Sequence, residues 1–561
     1  MIAAVAAPRG DDRCVCGGRC AGGVVDRARS KRDLDGQLPP VWCVVASVAA
    51  SLFAFGYFQA PVPGVNEAHY LSKARFYWDP SWCVGDLFLE SVAAHRVFYQ
   101  LVGGLTLWCN LEQTAWVLRI LGALLLAHGW VQMAQQFGGR GWAALWSAWL
   151  FLAQSVTISF SGEWIVGGTE SKVFAYGLAF WALGSVGRRL WWRAAALAGL
   201  SISMHPVVGM WCLICGGSAI LVLAARARPG RRTWPELAGG MAVLVGCALP
   251  GVFPAIGLAL NSGNDPVVRT DADYVQVFYR LAHHLDPLRF PLRAYVIYGA
   301  LLAGWIVWHR RNRLHFRDGP TSETASESAA HRTWNRRFLY GFVVASAVVA
   351  GCGLLLGLGP RPALEMPAFA LRARLLRFYP FRVFDVILPI GWCLLLAELM
   401  SAAAVSRLRT LVPWAVSAAC LVFSLAYPAS SRDHDQMSAA RRRDWEQVCA
   451  WVRTHTPQQA LVLTPRDSFA FKWYAERAEF FSAKDCPQDA AGIIEWFRRS
   501  RQVTGWAAEA RAQGHFDLES VRNFKVGSEI HYAIVDAPGD VGDRAVYANH
   551  RFRVYQLSGP R

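Results

Sequence analysis

The sequence predicts a mainly α-helical, polytopic membrane protein of about eleven spans, followed by a small α/β domain at the carboxyl end. Hydrophobic residues make up 54% of the 561 residues and charged residues only 17%, whereas about a quarter of a soluble domain is charged. Apolar runs of about 20 residues, the length that crosses a bilayer, recur as far as Tyr427. From residue 440 onward the sequence becomes charged and mixed.

Each predicted span is placed on one of these apolar runs, beginning with Val41–Ala60. Residues 194–225 are too long for one helix, so we expect two short helices that turn at His205-Pro206. The apolar run Val97–Trp108 is short and is predicted to be an interfacial helix. The remaining spans are predicted near 114–135, 141–160, 172–187, 237–260, 292–308, 338–358, 383–404 and 411–427.

The distribution of arginine predicts the orientation in the membrane. The net charge is +17, and the basic residues cluster in short stretches between the apolar runs. This pattern is typical of cytoplasmic loops. The sequence shows no folded basic face with interleaved aromatic residues, so it does not indicate nucleic-acid binding. We therefore expect a bacterial inner-membrane protein with a cytoplasmic amino terminus and, after an odd number of spans, an extracytoplasmic carboxyl-terminal domain.

Three regions are predicted. Residues 1–40 form a disordered basic cytoplasmic tail, in which a metal site on Cys14, Cys16 and Cys20 is the alternative reading. Residues 41–430 form the transmembrane domain, with a first external loop at 61–113 and a disordered cytoplasmic loop at 310–336. Residues 440–561 form the α/β domain, whose predicted elements are strands Ala460–Thr464, Tyr532–Asp536 and Arg551–Leu557 and helix Ala490–Arg499.

Two external stretches carry acidic candidates. Glu67 lies in the first loop, where a carboxylate at a membrane surface is costly unless it is used or paired. A solvated polar loop is the alternative for that stretch. The second stretch is the turn Ser161–Lys172, here called the Glu163 turn, which contains Glu163, Glu170 and Lys172. Glu170 opens a helix, and the helix dipole alone is a sufficient structural reason for an acid there.

A third stretch, Arg361–Arg382, is here called the arginine segment. It is predicted to be external although it is basic, so either the topology is wrong here or the guanidinium groups hold an anion such as phosphate. His205, His283 and His284 are further candidates, although a lone histidine is more often an ordinary loop or helix-end residue. No P-loop, GxSxG, paired CxxC or HExxH motif occurs, which argues against ATPases, α/β-hydrolases and zinc proteases.

The layout resembles the GT-C class of polytopic glycosyltransferases, which includes protein O-mannosyltransferases, aminoarabinose transferases and oligosaccharyltransferase catalytic subunits. In that class the first external loop begins with an acidic pair and a tyrosine and later carries H-P-P-x-Y-Y. Asn66–Tyr70 stands at the first position, His95–Tyr99 at the second, and the Glu163 turn at the class's second acidic motif. This resemblance covers mainly residues 1–230.

The sequence is more similar still to a GT-C-like family of uncharacterised bacterial membrane proteins, over most of the chain. The shared motifs are N-E-x-H-Y, W-D-P-S-W, G-E-W-x-V-G-G-x-E-x-K, F-R-x-x-D, T-P-R, F-K-W-Y-A-x-R and K-D-x-P-Q-D. The last four stand at Phe381–Asp385, Thr464–Arg466, Phe471–Arg477 and Lys484–Asp489.

The resemblance implies transfer of a sugar from a polyprenyl-phosphate carrier to an unknown acceptor. The implied catalytic residues are Glu67, Asn66 and Glu163. Glu67 would be the general base, because Asn66 at the first position of the acidic pair cannot take a proton. Glu163 and Glu170 would orient the substrate or bind a divalent cation, Mg²⁺ or Mn²⁺. The implied substrate- or lipid-phosphate-binding residues are His69, Tyr70, His95, Tyr99, Lys172, Arg372, Arg374, Arg377 and Arg382.

Two alternatives come from other functional classes. A catalytically inert GT-C-like scaffold would use the acidic loop only for packing, and substitution of Glu67 would then leave the phenotype unchanged. A lipid or solute carrier would place polar residues at mid-membrane depth in broken helices. The predicted spans are largely free of such residues, with His205-Pro206 as the main exception.

Overall fold

A computed structural model describes the chain from Leu38 to Leu557 with several gaps. The described residues from Val41 onward belong to one compact unit. Residues 1–37 of the predicted tail, which include its cysteines, lie outside the described residues. The described ranges are 38–64, 66–227, 233–260, 265–315, 323–403, 407–428, 437–466, 468–522, 524, 530–536 and 545–557.

The protein is mostly helical, as predicted, and a helix lies at each predicted span. The helices up to residue 260 are α1 (Val41–Gln59), α2 (Glu67–Trp78), α3 (Leu87–Glu90), α4 (Arg96–Gly103), α5 (Leu111–Phe137), α6 (Ala143–Thr157), α7 (Ser171–Gly187), α8 (Trp191–Met204), α9 (Pro206–Ala227) and α10 (Thr233–Leu260). Then follow α11 (Pro266–Tyr274), a π-helical turn (Val275–Arg280), α12 (Ala282–Leu285), α13 (Leu292–His315), α14 (Glu323–Gly357), α15 (Phe369–Leu376), α16 (Arg382–Ala403) and α17 (Arg407–Ala426).

The chain is a multi-pass membrane protein. Among the described residues, six helices are long and apolar enough to cross a bilayer: α1, α5, α9, α10, α14 and α16. Helix α4, in the run predicted to be interfacial, has eight residues and reaches about 12 Å, far less than the roughly 30 Å of a hydrocarbon core. The number of crossings, predicted as about eleven, stays a prediction.

The predicted break at His205-Pro206 is present. Helix α8 ends at Met204 and α9 begins at Pro206, a position where a proline ring fits because the first helical residue needs no amide donor. Of the loop predicted to be disordered at 310–336, residues 310–315 and 323–336 are helical in α13 and α14, and residues 316–322 lie outside the described residues. These helices extend the apolar runs on both sides of the loop.

Small residues bring the inner helices of the membrane region together. A Cβ atom on Gly129 of α5 would lie 2.1 Å from the carbonyl oxygen of Gly177 on α7. One on Gly184 would lie 2.6 Å from the backbone of Gln132. Glycine therefore sets the close approach of α5 and α7, as is typical of helix contacts in membranes.

The carboxyl-terminal region has a five-stranded mixed sheet in the order β2-β1-β3-β5-β4. β1 is parallel to β2 and β3, and β5 is antiparallel to β3 and β4. Buried Val462, Ile534 and Val554 pack with Trp445 in its core. The strands are β1 (Leu461–Leu463), β2 (Ala478–Glu479), β3 (Tyr532–Asp536), β4 (Tyr547–Ala548) and β5 (Phe552–Gln556), and the helices are α18 (Ala439–His455), α19 (Phe471–Ala475), α20 (Ala490–Gln513) and α21 (Leu518–Arg522).

Candidate functional site

One large cavity of about 1400 Å³ lies where the first loop, the Glu163 turn, the arginine segment and residues 484–488 meet. Most of the predicted site residues line it although they are far apart in sequence. Those that do are Asn66, His69, Tyr70, His95, Glu163, Glu170, Lys172, Arg374, Arg377 and Arg382. The candidate histidines His205, His283 and His284 line it as well.

The acids of the Glu163 turn are paired with cations at the cavity wall. The Nε atom of Arg382 lies 2.9 Å from Oε2 of Glu163. The Lys172 ammonium lies 3.8 Å from Glu163 and 3.2 Å from Glu170, and Asn66 donates to Glu170 at 3.0 Å. Burial raises the pKa of Glu170, against the effect of Lys172. The first loop, the turn and α16 thus meet in one charged cluster.

Asp385 on α16 holds the backbone of the Glu163 turn in place through hydrogen bonds. Its carboxylate accepts from the amides of Phe160 at 2.5 Å, Ser161 at 2.9 Å and Glu163 at 2.9 Å. The Tyr298 hydroxyl donates to it at 2.7 Å. Arg382, which pairs with the Glu163 side chain, lies one helical turn before Asp385. The F-R-x-x-D motif therefore fixes both the backbone and the carboxylate of Glu163.

We expect Asp385→Asn to destabilise the protein by about 2–3 kcal/mol, because an amide nitrogen would face backbone donors that now bond to a charged oxygen. Thermal unfolding of the detergent-purified chain measures the loss, and hydrogen exchange at residues 160–163 should rise. The exposed Glu509→Gln serves as the matched control. Unchanged exchange at the turn would contradict this role.

Glu67 does not line the cavity and is fully buried. Arg119 on α5 donates to its two oxygens at 2.7 and 2.6 Å, and the amides of Gly64 and Thr169 donate at 2.6 and 2.7 Å. All four bonds are charge-assisted, so the carboxylate is fully engaged within the protein. Tyr99 is likewise buried away from the cavity. The general-base role of Glu67 stays a prediction, and the geometry favours a positioning role.

The residues of the first loop that reach the cavity contact one another and residues of other segments. His69 bonds to Asp485 at 2.8 Å, and burial lowers the pKa of His69. The Tyr70 hydroxyl lies 3.3 Å from Nε2 of His95. The His95 and His205 rings are 4.7 Å apart, and burial lowers the pKa of His95 to about 3. His95 is therefore neutral at physiological pH.

The arginine segment presents only part of its charge to the cavity. Arg377 pairs with the buried Asp273 at 2.9 Å and also donates to the Gln488 carbonyl. Arg374 lies 3.9 Å from Asp273. Arg372, predicted to bind phosphate, instead donates to the Leu358 carbonyl at 2.8 Å and does not line the cavity.

A second charge cluster attaches the carboxyl-terminal region to the first loop. The buried Lys472 ammonium lies 3.1 Å from Asp86, 3.3 Å from Glu479 and 2.6 Å from Asp485. Burial alone would lower the pKa of Lys472, but the three carboxylates hold it well above its usual value. The Glu479 amide also donates to Asp86 at 3.2 Å. This cluster holds Asp485 against the first loop, and the neighbouring Lys484 and Gln488 line the cavity.

The predicted cation site on Glu163 and Glu170 stays a prediction. Within the described ranges, no group of three or more His, Cys, Asp or Glu side chains is arranged to hold a metal ion. The two carboxylates share the ammonium of Lys172, so a positive charge already balances them. With this ammonium between them, the two carboxylates do not fit a divalent cation.

Four residues that position the site were not predicted, and they differ in how strongly the sequence pattern indicates them. Arg119 is a lone charge in an apolar run, a pattern that by itself indicates a buried partner. Asp385 closes the F-R-x-x-D motif. Lys472 stands in the F-K-W-Y-A-x-R motif, whereas Asp273 stands in a mixed stretch where no pattern separates it from solvated residues.

A family model described as a domain of unknown function (DUF6798) matches residues 443–503. No curated protein matches the chain. Among solved structures, the chain is similar to ArnT from Cupriavidus metallidurans bound to undecaprenyl phosphate, with 16% identity, 93% of this chain and 100% of that chain covered, and a TM-score of 0.40. It is also similar to the oligosaccharyltransferase AglB from Archaeoglobus fulgidus in complex with an inhibitory peptide and a dolichol-phosphate, with 12% identity, 88% and 69% covered, and a TM-score of 0.38.

Proposed function

We propose that this protein is a membrane glycosyltransferase that moves a sugar from a polyprenyl-phosphate carrier to an acceptor on the extracytoplasmic face of a bacterial inner membrane. The observation that supports this proposal is the two-sided character of the cavity. One side is apolar and formed by helices long enough to span a membrane, and the other is strongly basic. A lipid-linked phosphate has the same two-sided chemistry.

The apolar side is formed by α9, α10 and α14. Met210, Ile214, Val252, Ile256 and Val348 line it. Several of these side chains are accessible, with Ile256 at 51% and Val348 at 61% exposed. Exposed aliphatic side chains on membrane helices are favourable contacts for a hydrocarbon chain.

The polar side carries an excess of positive charge. Among the described residues that line the cavity, the acids are Glu163, Glu170 and Asp273, whereas the lysines and arginines are Lys172, Arg269, Arg280, Arg289, Arg293, Arg374, Arg377, Arg382 and Lys484. Such an excess in a concave site attracts anions and strengthens their binding. Arginine forks in particular suit phosphate oxygens.

In the proposed reaction, an acceptor hydroxyl oxygen attacks the anomeric carbon of the sugar. The bond from that carbon to the carrier phosphate breaks, and its electron pair goes to the phosphate oxygen. Arg382 and Lys172 stabilise the departing phosphate. The hydroxyl proton goes to Glu163, which lines the cavity, while Glu67 accepts from the Thr169 amide of the same turn as a positioning residue.

The test is a transfer assay with the full chain in lipid nanodiscs and a panel of polyprenyl-phosphate-linked sugars, measuring release of polyprenyl phosphate. We expect Glu163→Gln to lower release by about 10²–10⁴-fold, the usual contribution of a positioned base. Binding of undecaprenyl phosphate should be kept or become tighter, because an acid is removed from a basic cavity. Glu509→Gln is the control. Release at the full rate by Glu163→Gln would remove this residue from the mechanism.

An inert scaffold is the second candidate, and one observation favours it. Glu67 and Asn66, which stand where the enzymes carry their acidic pair, both bond within the protein. The scaffold predicts that the wild-type chain neither binds undecaprenyl phosphate nor releases it from any donor. The same assay therefore separates the two candidates.

A further inference from the structure

Lys484 is a cavity-lining cation that comes from the carboxyl-terminal region rather than from the membrane helices. It belongs to the K-D-x-P-Q-D motif, and its side chain is accessible from the cavity. Its ammonium group makes no hydrogen bond or ion pair with any residue that the structure describes. Arg377 and Arg382, by contrast, are each paired with an acid.

The backbone at this position is held on both sides. Arg280 donates to the carbonyl oxygen of Lys484 at 2.9 Å. The next residue, Asp485, bonds to His69 at 2.8 Å and to Lys472 at 2.6 Å. A side chain on a backbone fixed in this way is presented to the cavity in a defined place, as a preorganised binding group requires.

The charges that face Lys484 are two cations and two acids, and each acid already has another cation as its partner. Arg280 comes from the π-helical turn and Lys172 from the start of α7, while Glu170 and the adjoining Asp485 are the acids nearby. Desolvation inside the cavity, followed by the charge of Arg280, lowers the pKa of Lys484 to about 8. Like charges gathered in an enclosed place are unfavourable by themselves, and an anion between them would relieve the repulsion.

We propose that Lys484 and Arg280 together bind a phosphoryl group, so that the carboxyl-terminal region supplies part of the anion site. This inference rests on the proposed function, because it assigns the group to the phosphate that the cavity receives. Two sources share this chemistry, the lipid-borne phosphate of the carrier and a water-soluble phosphate ester. In either case the carboxyl-terminal region is a part of the binding site and not only its cover.

The experiment compares binding to the full chain in nanodiscs of undecaprenyl phosphate, undecaprenol and inorganic phosphate. We expect Lys484→Gln to weaken binding of undecaprenyl phosphate at least tenfold, as the loss of a charge-assisted bond does. Lys484→Arg should keep most of the affinity. Arg501→Gln, which removes an exposed charge from α20 outside the cavity, is the matched control and should bind like the wild type.

The outcomes separate this inference from the proposed function. If the wild type binds undecaprenyl phosphate and Lys484→Gln binds it equally well, the inference is wrong and the proposed function stands. If only inorganic phosphate binds, and Lys484→Gln weakens it, the site takes a water-soluble phosphate and the lipid donor is wrong. If the wild type binds neither phosphate, both proposals are overturned.

The inference also predicts a pH dependence. Because the pKa of free Lys484 is lowered to about 8, the ammonium is charged below that value and neutral above it. Affinity for undecaprenyl phosphate should therefore fall as the pH rises from 7 to 9. Lys484→Arg, whose guanidinium stays charged, should show a much smaller fall, and an equal fall in both proteins would contradict the assignment.

Discussion

Replacement of Arg119 by methionine is expected to destabilise the protein by about 3–5 kcal/mol, the usual cost of leaving one partner of a buried ion pair alone. Arg119 and Glu67 are both almost fully buried, with side chains 4% and 0% exposed. The pair joins α5 to the start of α2, and Glu67 also accepts from the Thr169 amide in the Glu163 turn. Its loss should therefore loosen three segments together.

Thermal unfolding in detergent should show a midpoint lower by roughly 3–5 °C for Arg119→Met. Glu67→Gln should also lower the midpoint, and the double variant should recover part of the loss because no single buried charge remains. A general base would behave differently. If Glu67→Gln abolishes transfer without any change in the midpoint, Glu67 is the base and the positioning role is wrong.

Arg382→Gln is expected to reduce transfer by about 10²–10³-fold, the range measured when a donor that stabilises developing negative charge is removed. Two effects combine at this position. The variant removes a cation from the proposed phosphate site, and it leaves the nearly buried Glu163 carboxylate, 5% exposed, without its closest partner. Binding of undecaprenyl phosphate should fall as well, which separates this variant from Glu163→Gln.

The same change at Arg372 is expected to have little effect, because its guanidinium bonds to the Leu358 carbonyl and lies outside the cavity. The two variants remove equal charge from one segment of the chain. If Arg372→Gln loses as much transfer as Arg382→Gln, the general charge of the segment matters more than the cavity.

Much of the fold could be predicted because each membrane helix corresponds to a long apolar run in the sequence. The helix break before Pro206 and strand β3 at Tyr532–Asp536 followed from local chemistry, and the structure contains both. The pairing of distant segments had no comparable signal. Glu67 and Arg119 lie on different helices, and Lys472 meets Asp86 although most of the chain separates them. Such contacts depend on how the helices pack, which hydrophobic periodicity does not determine.

The candidate site could be predicted as a set of loops but not as a set of side chains. Polar residues concentrate in the first loop, the Glu163 turn and the arginine segment, and the cavity lies where these meet. Whether a given side chain points into the cavity depends on the exact position of that residue in its helix or loop. Arg372 and Arg374 are two positions apart on α15, so they lie on different helix faces, and only Arg374 lines the cavity.

Photo-crosslinking of the full chain with a diazirine-bearing undecaprenyl phosphate tests most directly whether the cavity holds a lipid-linked phosphate. With a label on the hydrocarbon chain, we predict crosslinks on the cavity-facing residues of α9, α10 and α14. With a label near the phosphate, we predict crosslinks at residues 482–488 and on the Glu163 turn. Unlabelled undecaprenyl phosphate should compete for both sets, and undecaprenol should not. Crosslinks spread over the outer helix surfaces that neither competitor reduces would contradict the account.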